Sequence, residues 1–101
     1  MYNVGTGRDA YVDAFLQAAR TAVTGDLAPW QGTLETLDVD TDSEDAYATA
    51  TVLFRGRRYR YRRRIWPADH PARVRAGLFA TILVERLLTT PVAEHSDIVM
   101  L

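Results

Sequence analysis

Three places in the sequence hold side chains that could do chemistry. The first is Arg55-Gly56-Arg57-Arg58-Tyr59-Arg60-Tyr61-Arg62-Arg63-Arg64, which carries seven of the chain's twelve basic residues. Within it Arg58, Arg60, Arg62 and Arg64 recur at every second position. A guanidinium offers a planar fork of donors that matches phosphate or carboxylate oxygens. Four at this spacing would line one face of a strand, because successive strand side chains point to opposite faces. These four arginines are the candidate partner-binding residues. The second place is Glu94-His95-Ser96-Asp97, whose residue types could ligate a metal or move protons. They are neighbours in a tail, whereas catalysis needs oriented groups converging on a pocket. The third is His70, between Asp69 and Pro71, which reads as a helix-start residue. Gly5-Thr6-Gly7 is too short for a phosphate loop and follows no strand.

Composition narrows the classes further. With 101 residues the chain forms one domain, 1–101. It has no cysteine, so thiolate metal sites and disulfides are excluded. That usage fits a cytoplasmic setting. The opening residues lack a basic start followed by an apolar run, and no apolar stretch is long enough to span a bilayer. No enzyme, cofactor or membrane association is therefore expected. All twelve basic residues are arginine, which together with abundant alanine reads as a GC-rich bacterial genome. The formal net charge is −1, against a surface built wholly for nucleic acid. The charge is nevertheless segregated: Glu35, Asp38, Asp40, Asp42, Glu44 and Asp45 precede the arginine run.

Periodicity supplies the elements that must carry these groups. Val12, Phe15, Leu16, Ala19 and Val23 make a helical stripe over about 8–24, with Thr6 and Asp9 spaced like a capping box and Gly25 as the stop. Strand-like runs follow at about 31–41, 46–55 and 58–66, the last two joined by a Gly56-Arg57 turn of type II′. A second helix covers about 70–89, capped by Asp69 or His70 with Pro71 in its first turn, and 90–101 is a tail. The fold class is α+β: an α-β-β-β-α two-layer sandwich, a three-stranded antiparallel meander with both helices on one face. The apolar end of the tail, Ile98-Val99-Met100-Leu101, is expected to dock on the sheet edge as a short strand, the alternative being a free tail recognised by a partner.

The turn sets a register in which Phe54 faces Tyr59, Val52 faces Tyr61 and Ala50 faces Arg63, while Leu53, Thr51 and Thr49 face Arg60, Arg62 and Arg64. On the outer face one row then reads Asp38, Thr49, Arg64, and Asp38 and Asp40 are placed to neutralise part of the stripe. Arg58, Arg60, Arg62 and Arg63 are left without partners. The second helix is apolar over more than one stripe, through Val74, Leu78, Ile82, Phe79, Leu83, Leu87, Val84 and Leu88. Its small residues Ala76, Gly77, Ala80 and Thr81 would admit another element. A homodimer is expected from this excess.

The element order resembles that of the double-stranded-RNA-binding domain over about residues 8–89, in topology alone. That family reads RNA through its first helix, the loop between its first two strands and a basic start to its second helix. Here the loop is Asp42-Ser43-Glu44-Asp45, which repels phosphate, and only Arg73 and Arg75 echo the basic cluster. The sequence therefore reads as a small interaction module, probing an acidic protein surface through the arginine stripe or a second copy through helix 2. Sequence-nonspecific nucleic-acid binding by the same stripe is the alternative.

Overall fold

Two-residue alternation along 46–66 decides the architecture. Ala46, Ala48, Ala50, Val52 and Phe54 are buried, and the residues between them are half-buried. The computed structural model of the chain describes residues 4–89 and 96–101. Helix α1 (Val4–Leu27) and a 3-10 turn (Ala28–Trp30) lead into β1 (Thr33–Thr41), β2 (Ala46–Phe54) and β3 (Arg57–Trp66). Helix α2 (Ala72–Leu88) follows, and β4 (Ile98–Met100) ends the chain's described elements. The strands form an antiparallel sheet in the order β1-β2-β3-β4, so the α+β class holds. The sheet has four strands rather than the expected three. The tail docks as anticipated: Ile98, Val99 and Met100 pair with Tyr61, Arg60 and Tyr59.

One buried cluster joins both helices to one face of the sheet. Phe15, Ala19, Val23 and Leu27 form an i, i+4 row on α1, all fully buried. Ala76, Phe79, Ala80, Leu83 and Leu87 form the buried stripe of α2. The alanines of β2 leave room beneath the helices, and aromatic rings fill it. Phe79 meets Phe15 edge-on at 5.5 Å and Tyr61 at 4.9 Å between ring centres.

Helix α1 starts at Val4, upstream of Thr6, and runs through Gly25 to Leu27. Gly25 is exposed and lies within the helix without a positive φ, so it is no cap. A helical glycine costs about 1 kcal/mol. Burying Leu27 returns roughly 1.5–3 kcal/mol, which carries the helix one turn further. Glycine is needed instead at Gly32, where an added Cβ would lie 3.0 Å from Leu27 and 3.3 Å from Phe54. At the start of α2, Pro71 occupies the cap position and makes no side-chain cap bond, so neither Asp69 nor His70 caps the helix. Thr90 and Pro91, expected to stop α2, lie outside the described residues.

The β2–β3 turn also differs from expectation. Its central residues are Arg55 (φ 53°) and Gly56 (φ 79°), flanked by the pair Phe54–Arg57. Two positive φ values make a type I′ turn, whose twist matches the strands it joins. Arg55 in this region costs roughly 1–2 kcal/mol, which the hairpin must offset. The register slips by two residues: Tyr59 faces Val52, Tyr61 faces Ala50, Arg60 faces Thr51 and Arg62 faces Thr49. A slip of two leaves every side chain on its expected face.

Candidate interaction face

Arg58, Arg60, Arg62 and Arg64 all stand exposed on the sheet face that the helices leave uncovered. Across β2 they meet Leu53, Thr51, Thr49 and Tyr47. On β1 the same face presents Thr36, Asp38 and Asp40, paired with Thr51, Thr49 and Tyr47. The slip puts Asp38 in a row with Thr49 and Arg62, not Arg64 as expected.

Ion pairing takes up half of the stripe. Arg58 holds Glu35 in a two-pronged contact, Nε to Oε1 at 2.7 Å and Nη2 to Oε2 at 3.2 Å. That hydrogen bond, with the carboxylate's charge, raises the Arg58 pKa above its ordinary value. Glu35 reaches it because the β1–β2 ladder is irregular between Leu34 and Thr36, which sets Glu35 out of register. Arg62 donates to Asp40 at 2.9 Å, and its guanidinium lies 4.3 Å from the centre of the Tyr47 ring. Thus Asp40 neutralises one arginine as expected, and Arg58 and Arg62 do have partners. Among the described residues, Arg60, Arg64 and Asp38 form no ion pair.

A second arginine cluster lies on the helix side, where sequence reasoning foresaw nothing. Arg63 donates to Asp97 at 2.9 Å, and Arg86 of α2 donates to the same carboxylate at 3.1 and 3.3 Å. The Asp97 carbonyl accepts the Arg62 backbone N–H at 2.9 Å. Burial pushes the Asp97 pKa up, but the bonds from Arg86 and Arg63 outweigh it and hold the carboxyl below its ordinary value. Asp97 therefore pins the approach to β4 to both β3 and α2. The clue in the sequence was slight: one acid just before an apolar tripeptide.

The remaining candidates are structural or lie elsewhere. His70 is exposed, and its carbonyl accepts the Tyr11 hydroxyl at 2.8 Å. Glu94 and His95 lie outside the described residues, Ser96 is exposed and Asp97 is engaged as above. Among the described residues no three His, Asp or Glu side chains gather as a metal site, and no helix is long and apolar enough to cross a membrane. On α2, Ala76 and Ala80 are buried in the core. Gly77 makes no close approach to anything; it lines an open groove with Ala14, Ala18, Ala22 and Arg73. Val74, Leu78 and Leu88 remain exposed on one row that Thr81 and Glu85 interrupt. No family model, curated protein or solved structure matches this chain.

Proposed function

We propose that this chain is a small non-enzymatic interaction module of the cytoplasm, and that its uncovered sheet face takes a protein surface, first of all a second copy of itself. The observation that carries this reading is the division of charge across that face. Glu35, Asp38 and Asp40 lie on β1, Arg58, Arg60, Arg62 and Arg64 on β3, and the small Thr49 and Thr51 between them. A two-fold axis parallel to the strands and passing over β2 lays β1 of each copy on β3 of the other. Asp38 then lies over Arg62 of the other copy, with Arg60 and Arg64, which lack internal partners, one step along the strand on either side. Such an interface is isologous, as two-fold dimers require. Three strands at ~4.8 Å spacing and nine residues at ~3.3 Å give a face of roughly 430 Å² per copy. That is at the small end for specific association, so the dimer is expected to be weak and salt-sensitive.

Nucleic-acid binding is the second reading, favoured by the unpaired Arg60 and Arg64. Against it stand the acids on the same face and the acidic β1–β2 loop, which oppose a polyanion.

Sedimentation velocity over micromolar concentrations, at low and high salt, tests the first reading. Self-association should weaken with salt. Arg60→Glu/Arg62→Glu and Asp38→Arg/Asp40→Arg variants should each be monomeric alone and associate when mixed. A wild type that stays monomeric throughout, or variants that self-associate like wild type, overturns it. In the latter case, loss of association in Val74→Ser/Leu78→Ser places the dimer on α2. Binding of labelled duplex with a log-affinity slope near −3 against log salt, for about three phosphate contacts, puts nucleic acid first.

A further inference from the structure

Beyond β4, the edge of β3 opens into a cleft that shares only Arg64 with the sheet-face reading. Strand β4 pairs only with Tyr59 to Tyr61. Past that point the edge is closed piecemeal: the Asp97 carbonyl takes the Arg62 N–H, and Arg75 Nη2 donates to the Arg64 carbonyl at 3.0 Å. The cleft beside this stretch holds about 300 Å³ and is lined by Arg63, Arg64, Pro67, Asp69 and Arg75. Three arginines and one carboxylate thus border it.

We infer that this cleft is a binding site for a phosphate-type dianion, with Arg64 and Arg75 as its principal ligands and Arg63 as its fixed back wall. The first argument is charge. Arg63 is already matched by Asp97, which it shares with Arg86. Arg64 and Arg75 form no ion pair among the described residues, so with Asp69 on the same wall the cleft keeps a net positive charge. The second is preorganisation. Arg63 is tied by a 2.9 Å bond and Arg75 by a 3.0 Å bond, so little side-chain freedom remains to be lost on binding. The bond to the Arg64 carbonyl occupies one of the five N–H donors of Arg75, and the rest stay available. The third is placement. Asp69 and Arg75, which line the cleft, flank the start of α2, whose first turn contains no acid and no capping side chain. The free N–H groups of that turn add partial positive charge at the same end. Rigid forks of this kind suit tetrahedral oxyanions with two or more oxygens to share. Asp69 disfavours extended polyanions and favours a compact ligand that can donate a hydroxyl to it.

The test is a titration of the full chain with inorganic phosphate against chloride at matched ionic strength, read by arginine Nε–Hε and backbone amide NMR shifts. Saturable shifts confined to Arg63, Arg64, Arg75 and the first turn of α2 are expected with phosphate and not with chloride. Arg75→Gln and Arg64→Gln should each weaken the affinity at least tenfold while the remaining spectrum shows an intact fold. Arg58→Gln, on the far side of the stripe, should leave the affinity unchanged. Non-saturating shifts, equal shifts with chloride, or equal losses in Arg58→Gln and Arg75→Gln overturn the assignment. The Arg75→Gln result separates this site from self-association, because Arg75 takes no part in the sheet face, whereas Arg64 borders both.

Discussion

Arg62 and Arg63 are adjacent in the sequence and have the same chemistry, yet they serve different ends. Arg62 points from the open sheet face; its side chain is 48% exposed, and its partner Asp40 is 66% exposed. Arg63 points to the helix side, where its partner Asp97 is only 14% exposed and shared with Arg86. A charge pair in water is screened and loses side-chain freedom, whereas one withdrawn from water leaves a costly orphan if broken. One strand thus carries a replaceable pair on one face and a structural pair on the other. The lesson is that an arginine count says little until each guanidinium is assigned a face and a partner.

The largest effect that could break this contrast is removal of the shared carboxylate. Asp97→Ala strips both Arg63 and Arg86 of their acceptor and loosens the start of β4. A cost of about 1–3 kcal/mol is expected, short of the roughly 3–5 kcal/mol of fully buried pairs because both arginines keep some solvent contact. Asp40→Ala should stay within about 0.5 kcal/mol of wild type. Chemical denaturation of both variants measures the difference, and equal losses would erase the distinction between the two faces.

That distinction was half legible in the sequence. Alternation along 58–65 assigned each β3 side chain to its face, and the assignment survived a two-residue error in register because the strand period is two. The register itself was hidden, since Gly56 serves a turn as first central residue or as second, and only the observed φ of Arg55 and Gly56 separates the two. The partner of Arg58 was hidden for a related reason. Glu35 reaches the stripe only through a ladder irregularity, and nothing in Leu34-Glu35-Thr36 announces one. Asp97 was unreadable because its partners, Arg63 and Arg86, come from two other elements, and pairing at that range depends on the finished fold. The docking of Ile98 to Met100 was legible from its apolar character; its consequence for Asp97 was not.

A smaller effect sharpens the comparison through pH. Asp97 has a folded pKa below its ordinary value, so the native state takes up its proton less readily than the unfolded chain. The stability it contributes is present in full above the ordinary value of 3.8 and is lost as pH falls from there through the lower folded value. Asp42 behaves in the same sense, through N–H bonds from Asp45 and Glu44, but it is exposed. Thermal unfolding across the acid range should therefore show a shallower decline in Asp97→Asn than in wild type. An unchanged acid limb would mean that Asp97 is not held in its charged form.

The smallest effect concerns Tyr61, which shares the helix-side face of β3 with Arg63. Tyr61 is fully buried, and its hydroxyl has no hydrogen-bond partner among the described residues. Burial pushes its pKa up to about 12, with Arg63 opposing and Asp97 reinforcing the shift. A phenol withdrawn from water without a partner costs free energy that its ring, packed on Phe79, does not need. Tyr61→Phe keeps the ring and removes the orphan. It should be as stable as wild type or more stable by up to about 1 kcal/mol, measured by thermal unfolding at neutral pH. A clear loss of stability would show that the hydroxyl is satisfied in solution. The knot of Arg63, Asp97 and Arg86 would then extend through Tyr61 into the core.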